Sequence, residues 1–177
     1  MSELPEDHVS KEGTMKKGEA KGQFEIYIDG SSRGNPGQAG CGVVIRDGSG
    51  TILLEQGYPL GVMTNNAAEY NALIIALEEA LVLGAKAVKV YADSELLVRQ
   101  INGQYRVKNA DLKVLHGRAS RLAKGFVEFE IEHVMREKNK EADKLAQKAS
   151  QDGKKAEGAK TKGKVFGPRE KIDESLF

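Results

Sequence analysis

Strand-like and helix-like periodicities follow one another along this chain in the order βββαβααβα, and few folds accept that order. In residues 24–28, Phe24, Ile26 and Ile28 alternate with Glu25 and Tyr27, which predicts a strand. Residues 40–46 and 51–56 flank Asp47-Gly48-Ser49-Gly50, a hairpin signal, so three consecutive strands should form an antiparallel meander. Residues 67–83 are predicted helical, with Ala72, Ala76, Leu77, Ala80 and Leu81 on one face and Gly84 as the stop. A strand over 86–92 and a short helix over 94–101 follow. Asn109 then caps a helix in which Leu112, Leu115, Ala119 and Leu122 recur, and Gly125 ends it. In 126–134, Val127, Phe129 and Ile131 alternate with Glu128, Glu130 and Glu132, predicting the fifth strand. Asn139 caps a last helix running through Ala149. The order predicts an α/β domain: a five-stranded mixed sheet, three antiparallel strands and then parallel ones, with helices on both faces.

Four acidic residues stand at informative places in that framework. Asp29 ends the first strand and opens IDGSSRGNPG. Glu69 lies early in the first helix, in TNNAAEYNALIIALEEAL. Asp93 ends the fourth strand, in VKVYADSELLV. Asp143 lies early in the last helix, in REKNKEADKLAQ. Carboxylates at neighbouring strand ends can converge on one spot, and four together require a cation. Hard oxygen ligands suit Mg²⁺ or Mn²⁺, and two such ions about 4 Å apart form the clamp used in phosphodiester cleavage. Each residue also has a purely structural explanation. Asp29 could start a turn, Glu69 could close a capping box with Asn66, Asp93 could cap the following helix, and Asp143 could be a solvated carboxylate. The four together, in this order, favour a shared site.

On the motifs DGSSRGNPG, TNNAAEY, ADSELLV and NKEADKLA, residues 24–150 resemble type 1 ribonuclease H, the family that cuts the RNA strand of RNA–DNA hybrids. The resemblance implies the ribonuclease H fold, which the periodicities predict independently. It implies an RNA–DNA hybrid as substrate and two Mg²⁺ ions as cofactor, with Mn²⁺ able to substitute. Asp29 would bridge both ions, Glu69 and Asp93 would serve the first, and Asp143 the second. Glu69 would also meet the 2′-hydroxyl that distinguishes RNA from DNA. Asn35, Thr64, Asn65 and Asn66 match the family's contacts to phosphate, sugar and base, with Gly30 and Asn139 beside them. Caps and turns are the alternative for the asparagines, and Gly30, Gly34 and Gly37 make sense as backbone turning tightly beside a ligand.

The chain departs from the best-known pattern twice. The loop before the last helix, Met135-Arg136-Glu137-Lys138-Asn139, is short and lacks the histidine that aids proton transfer and product release. His133 lies within a strand and does not replace it; Arg136 is the substitute the loop offers. The basic helical handle that grips the DNA strand is also missing, with only NGQYRVK between Ile101 and Asn109. Two other functions are compatible with the motifs: a module that binds hybrid or double-stranded RNA without cutting, and a nuclease of the same fold with a different substrate. All four carboxylates are present, which argues against the first.

Charge sharpens these expectations. The net charge is +1, with 27 basic and 26 acidic residues, so charge alone does not coat the chain onto duplexes. One cysteine, Cys41, in an apolar run, excludes a disulfide framework and reads as a small buried packing residue. No apolar run is long enough to cross a membrane, and the first residues lack a signal peptide's apolar stretch. A cytoplasmic monomer is expected. Residues 1–22 read as a disordered leader, 23–150 as the ribonuclease H domain, and 151–177 as a flexible tail. The end, KVFGPREKIDESLF, regains apolar residues, so an ordinary tail and a weak protein-docking peptide both remain open.

Overall fold

A computed structural model describes residues 22–156. Residues 1–21 of the leader, the segment 157–177 and the docking reading of the terminal peptide lie outside these residues. Five strands form one mixed sheet: β1 (Gln23–Gly34), β2 (Gly37–Arg46), β3 (Ile52–Met63), β4 (Ala87–Ala92) and β5 (Glu128–His133). Their order is β3-β2-β1-β4-β5. β1–β2 and β2–β3 are antiparallel, while β1–β4 and β4–β5 are parallel. This is the expected fold class. Four α-helices accompany the sheet: α1 (Asn65–Val82), α2 (Glu95–Ile101), α3 (Ala110–Ala123) and α4 (Lys140–Ala156).

The largest apolar cluster lies between the sheet and α1. Ile26 and Ile28 of β1, Val43 and Ile45 of β2, and Val88 and Val90 of β4 pack with Leu73, Ile74 and Leu77. Each strand supplies every second residue, as a pleated backbone requires. Gly84, at φ +81°, ends α1 in a conformation that side-chain-bearing residues rarely adopt.

α4 meets the sheet differently. A Cβ on Gly42 would stand 2.2 Å from the Ala142 carbonyl oxygen, and one on Gly40 would stand 2.4 Å from the Ser150 nitrogen. The helix therefore rests on bare backbone, presenting the small residues Ala142, Ala146 and Ala149, all buried. α4 also runs past Ala149, where the sequence pattern ends it, to Ala156. Buried Ser150 accepts a 3.2 Å hydrogen bond from Arg33 Nε, and buried Gly153 sits against Gln38. Truncation after residue 150 should thus remove packed helix. We expect it to cost about 1 kcal/mol and lower the melting temperature by a few degrees.

Candidate active site

Register brings the first two carboxylates together. The parallel pairing of β1 and β4 ends at Ile28 opposite Ala92, so Asp29 and Asp93 are the next residues on adjacent strands. The chain turns away at once after Asp93, because Ser94 caps α2 by accepting from Leu97 N–H at 3.2 Å. Ser94, not Asp93, is the cap.

Glu69 arrives from α1 because β1 carries a glycine where the helix crosses. A Cβ on Gly30 would lie 2.3 Å from the Ala68 carbonyl carbon and 2.4 Å from the Glu69 nitrogen. The helix backbone therefore touches β1 one residue past Asp29. Gly30 is buried within β1 under that helix, so its lack of a side chain lets the helix pack this closely. The capping-box alternative for Glu69 also fails: Thr64 is the cap, accepting from Ala67 N–H at 3.2 Å, and Asn66 is already inside the helix.

Carboxylate oxygens of Asp29, Glu69 and Asp93 all lie within 4.8 Å of one another. Asp29 and Glu69 are each only 5% exposed. Burial, then the charges of Glu69 and Asp93, hold the Asp29 carboxyl far above the ordinary carboxylate range. Burial, then Asp93, does the same to Glu69. One oxygen of Glu69, Oε2, is buried without a hydrogen-bond partner. Stacked acidic groups with an orphaned oxygen form a site whose charge is completed from outside the protein, and an all-oxygen donor set suits a hard divalent ion.

Asp143 approaches this cluster without joining it. Gly42 lies opposite Asp29 across the β1–β2 pair and directly beneath Ala142 of α4, which places Asp143 next to the site. Its charge reaches both Asp29 and Glu69. Its oxygens, however, accept from Gln147 Nε2 at 3.1 Å each, and Oδ1 lies 3.5 Å from an Arg136 Nη. Arg136 belongs to a 3-10 turn, Arg136–Lys138, and its side chain is 72% exposed.

Asn139 lies 1% exposed and donates to the Ile28 carbonyl at 2.8 Å, pinning the start of α4 to β1 beside Asp29. In this structure it anchors the helix and presents nothing to solvent. Asn35, Thr64, Asn65 and Asn66 are exposed. Asn35 accepts from the Asn65 backbone N–H at 3.2 Å, so the β1–β2 tip and the start of α1 are tied together. A groove of about 600 Å³ lies between them and α3, lined by Asn35, Thr64 and Asn66 and also by Asn71, Asn109 and Asp111. Asn71 and Asp111 carried no signal in the sequence beyond their polarity, and Asn109 showed only its cap, which accepts from Leu112 N–H at 3.0 Å. His133 closes β5, as expected, and is exposed. Cys41 is fully buried, and burial pushes its thiol pKa up.

A family described as reverse transcriptase-like matches residues 27–149. The chain is 43% identical over 131 residues to Ribonuclease HI of Halobacterium salinarum, covering 74% of this chain and 66% of that protein. It is 44% identical over 125 residues to a bifunctional protein of Mycobacterium tuberculosis, covering 70% of this chain but 34% of that one. The match thus spans about two thirds of the first relative and one third of the second. Among solved structures, RNase H1 of Halobacterium salinarum superposes with a TM-score of 0.72, covering 74% of this chain and 99% of that one. LC11-RNase H1 in complex with an RNA/DNA hybrid superposes with a TM-score of 0.69 at 43% identity, covering 73% and 97%.

Proposed function

This chain belongs to the type 1 ribonuclease H family, and from that premise we propose that it is an endonuclease hydrolysing the RNA strand of RNA–DNA hybrids with divalent metal ions. The observation that carries the reading is the meeting of Asp29, Glu69 and Asp93 within 4.8 Å at the ends of β1 and β4 and on α1. Asp29, Glu69 and Asp93 would hold one ion, and Asp29 with Asp143 a second. Bound Mg²⁺ or Mn²⁺ would lower the pKa of the attacking water and offset charge on the leaving oxygen, giving a 3′-hydroxyl and a 5′-phosphate.

The remaining roles fall to the chain's own groups. Asn35, Thr64, Asn65 and Asn66 donate to phosphates and sugars without reading sequence. Glu69 accepts from the RNA 2′-hydroxyl, the group absent from DNA. Asn139 keeps α4 in register with Asp29 through the Ile28 carbonyl. The enzyme works as a cytoplasmic monomer with one catalytic domain, whose C-terminal boundary we place after α4. No helix among the described residues is long and apolar enough to cross a membrane.

A labelled hybrid, an all-RNA duplex and an all-DNA duplex, each with Mg²⁺, Mn²⁺ or a chelator, test this. Cleavage of the hybrid's RNA strand only when metal is present is expected. Hybrid binding without cleavage would instead make the protein a binding module. Preferential cutting of four-way junctions would make it a nuclease of the same fold with another substrate.

Arg136 is the loop group nearest Asp143. Arg136→Ala is expected to lower turnover by roughly 10- to 100-fold, as loss of an auxiliary group in a metal-driven reaction does. Hybrid affinity should change little, because one exposed cation is a small share of the phosphate attraction. Weaker binding at unchanged saturated turnover would reduce Arg136 to a phosphate contact.

A further inference from the structure

Gln147 plays no part in the chemistry derived above, yet it makes the best-formed contacts of any residue to Asp143. It lies one helical turn further along α4, and its amide donates to both carboxylate oxygens at 3.1 Å. Residues four apart on a helix are surface neighbours, so this contact needs no rearrangement of the backbone. The carboxylate so held stays outside the cluster of Asp29, Glu69 and Asp93. Asp143 thus has a competing donor on its own helix, whereas buried Glu69 Oε2 has no hydrogen-bond partner.

We infer that Gln147 is a positioning residue that parks Asp143 and thereby weakens the ion Asp143 would bind, separating the affinities of the two ions. The inference rests on the two-ion reading of the site. An ion drawing Asp143 toward Asp29 competes with the two Gln147 contacts for the same carboxylate oxygens and is expected to break or stretch at least one of them. Hydrogen bonds to a charged acceptor are stronger than neutral ones, and exposure reduces them. Arg136 adds a weaker restraint at 3.5 Å from an exposed guanidinium, and salt screens it.

The test is Mn²⁺ binding to the wild-type protein, followed by calorimetry and by the resonance of free Mn²⁺, without nucleic acid and therefore independent of activity. The variants are Gln147→Met, which keeps length and removes the donors, Gln147→Asn, and Asp143→Asn. Wild type is expected to bind one ion more tightly and a second more weakly, the second lost in Asp143→Asn. Gln147→Met should tighten the second ion by roughly 3- to 10-fold and leave the first unchanged. The gain should persist at high salt, which an effect exerted through Arg136 would not. Gln147→Asn, with a shorter reach, should resemble Gln147→Met.

An unchanged or weaker second ion in Gln147→Met, with two ions in wild type, overturns the parking role and leaves the two-ion site standing. A single wild-type ion insensitive to Asp143→Asn overturns both the second ion and the parking role. If Asp29→Asn, measured in the same way, loses no bound ion, the proposed function itself is overturned. Melting temperatures of all variants establish that each is folded.

Discussion

Replacing Asp29 with asparagine is expected to abolish hybrid cleavage, by roughly 10³-fold or more, while the protein remains folded. The side chain lies at the junction of every element of the site: opposite Gly42 beneath α4, adjacent to Asp93 on the neighbouring strand, and one residue before the Gly30 contact with α1. Loss of a shared metal ligand removes several kcal/mol of transition-state stabilisation, and each 1.36 kcal/mol is tenfold in rate. Stability should move the other way. In the metal-free protein the Asp29 pKa is raised in the fold. A raised folded pKa means the native state holds a proton that the unfolded state releases. That contribution to stability is present below the unfolded carboxylate pKa and is lost as pH rises toward the folded value. Metal-free wild type should therefore melt at falling temperatures from about pH 4 toward about pH 10. Asp29→Asn should show a flatter profile and melt a few degrees higher at pH 8. Near wild-type turnover in this variant would refute the metal-bridging assignment, and parallel pH profiles would refute the electrostatic one.

Glu69→Gln is expected to cost roughly 10²- to 10³-fold in turnover with no loss of melting temperature. The substitution is nearly isosteric, and α1 does not depend on Glu69 for its start, because Thr64 is the cap. The orphaned Oε2 is replaced by, or paired with, an amide that can donate to Asp29, which relieves repulsion in the metal-free site. A capping role would reverse both signs, lowering the melting temperature by about 1 kcal/mol of stability with chemistry intact. Measured on one preparation, rate and melting temperature separate the two outcomes without ambiguity.

Much of this architecture was written in local pattern. The alternation in β1 and β5, the Asp47-Gly48 turn and the helical spacing of α1 and α3 gave the order of elements. The register then follows from it, since two strands that pair in parallel and stop together leave Asp29 and Asp93 side by side. Elements whose contacts are made by backbone were harder to see. β3 extends to Met63 through Gly57, Pro59 and Gly61, which hide the alternation beyond Gln56. β1 continues to Gly34 through Ser31, Ser32 and Arg33, polar residues held by their pairing with β2 and not by burial. α4 looks too polar after Ala149 to continue, yet a helix lying on glycines needs only small residues toward the sheet. In the site, residue type marked the four carboxylates. It gave no hint that Asn139 is buried against Ile28 or that Gln147 holds Asp143, because an amide in a charged helix has the same appearance whether it faces water or a neighbour.

The glycines beneath α4 also limit how the site can respond to an ion. Between most helices and sheets, interlocking side chains form a layer that can be thinned or slid by changing rotamers. Here Gly40, Gly42 and Gly57 leave no such layer, since a single added carbon on any of them would meet the helix at 2.8 Å or closer. The helix is therefore a fixed rail, with no clearance to move inward. With inward motion blocked, torsion about the Asp143 side chain is the cheapest way to bring its carboxylate closer to Asp29. Metal-bound and metal-free crystals should superpose along α4, with their differences confined to the side chains of Asp143, Gln147 and Arg136.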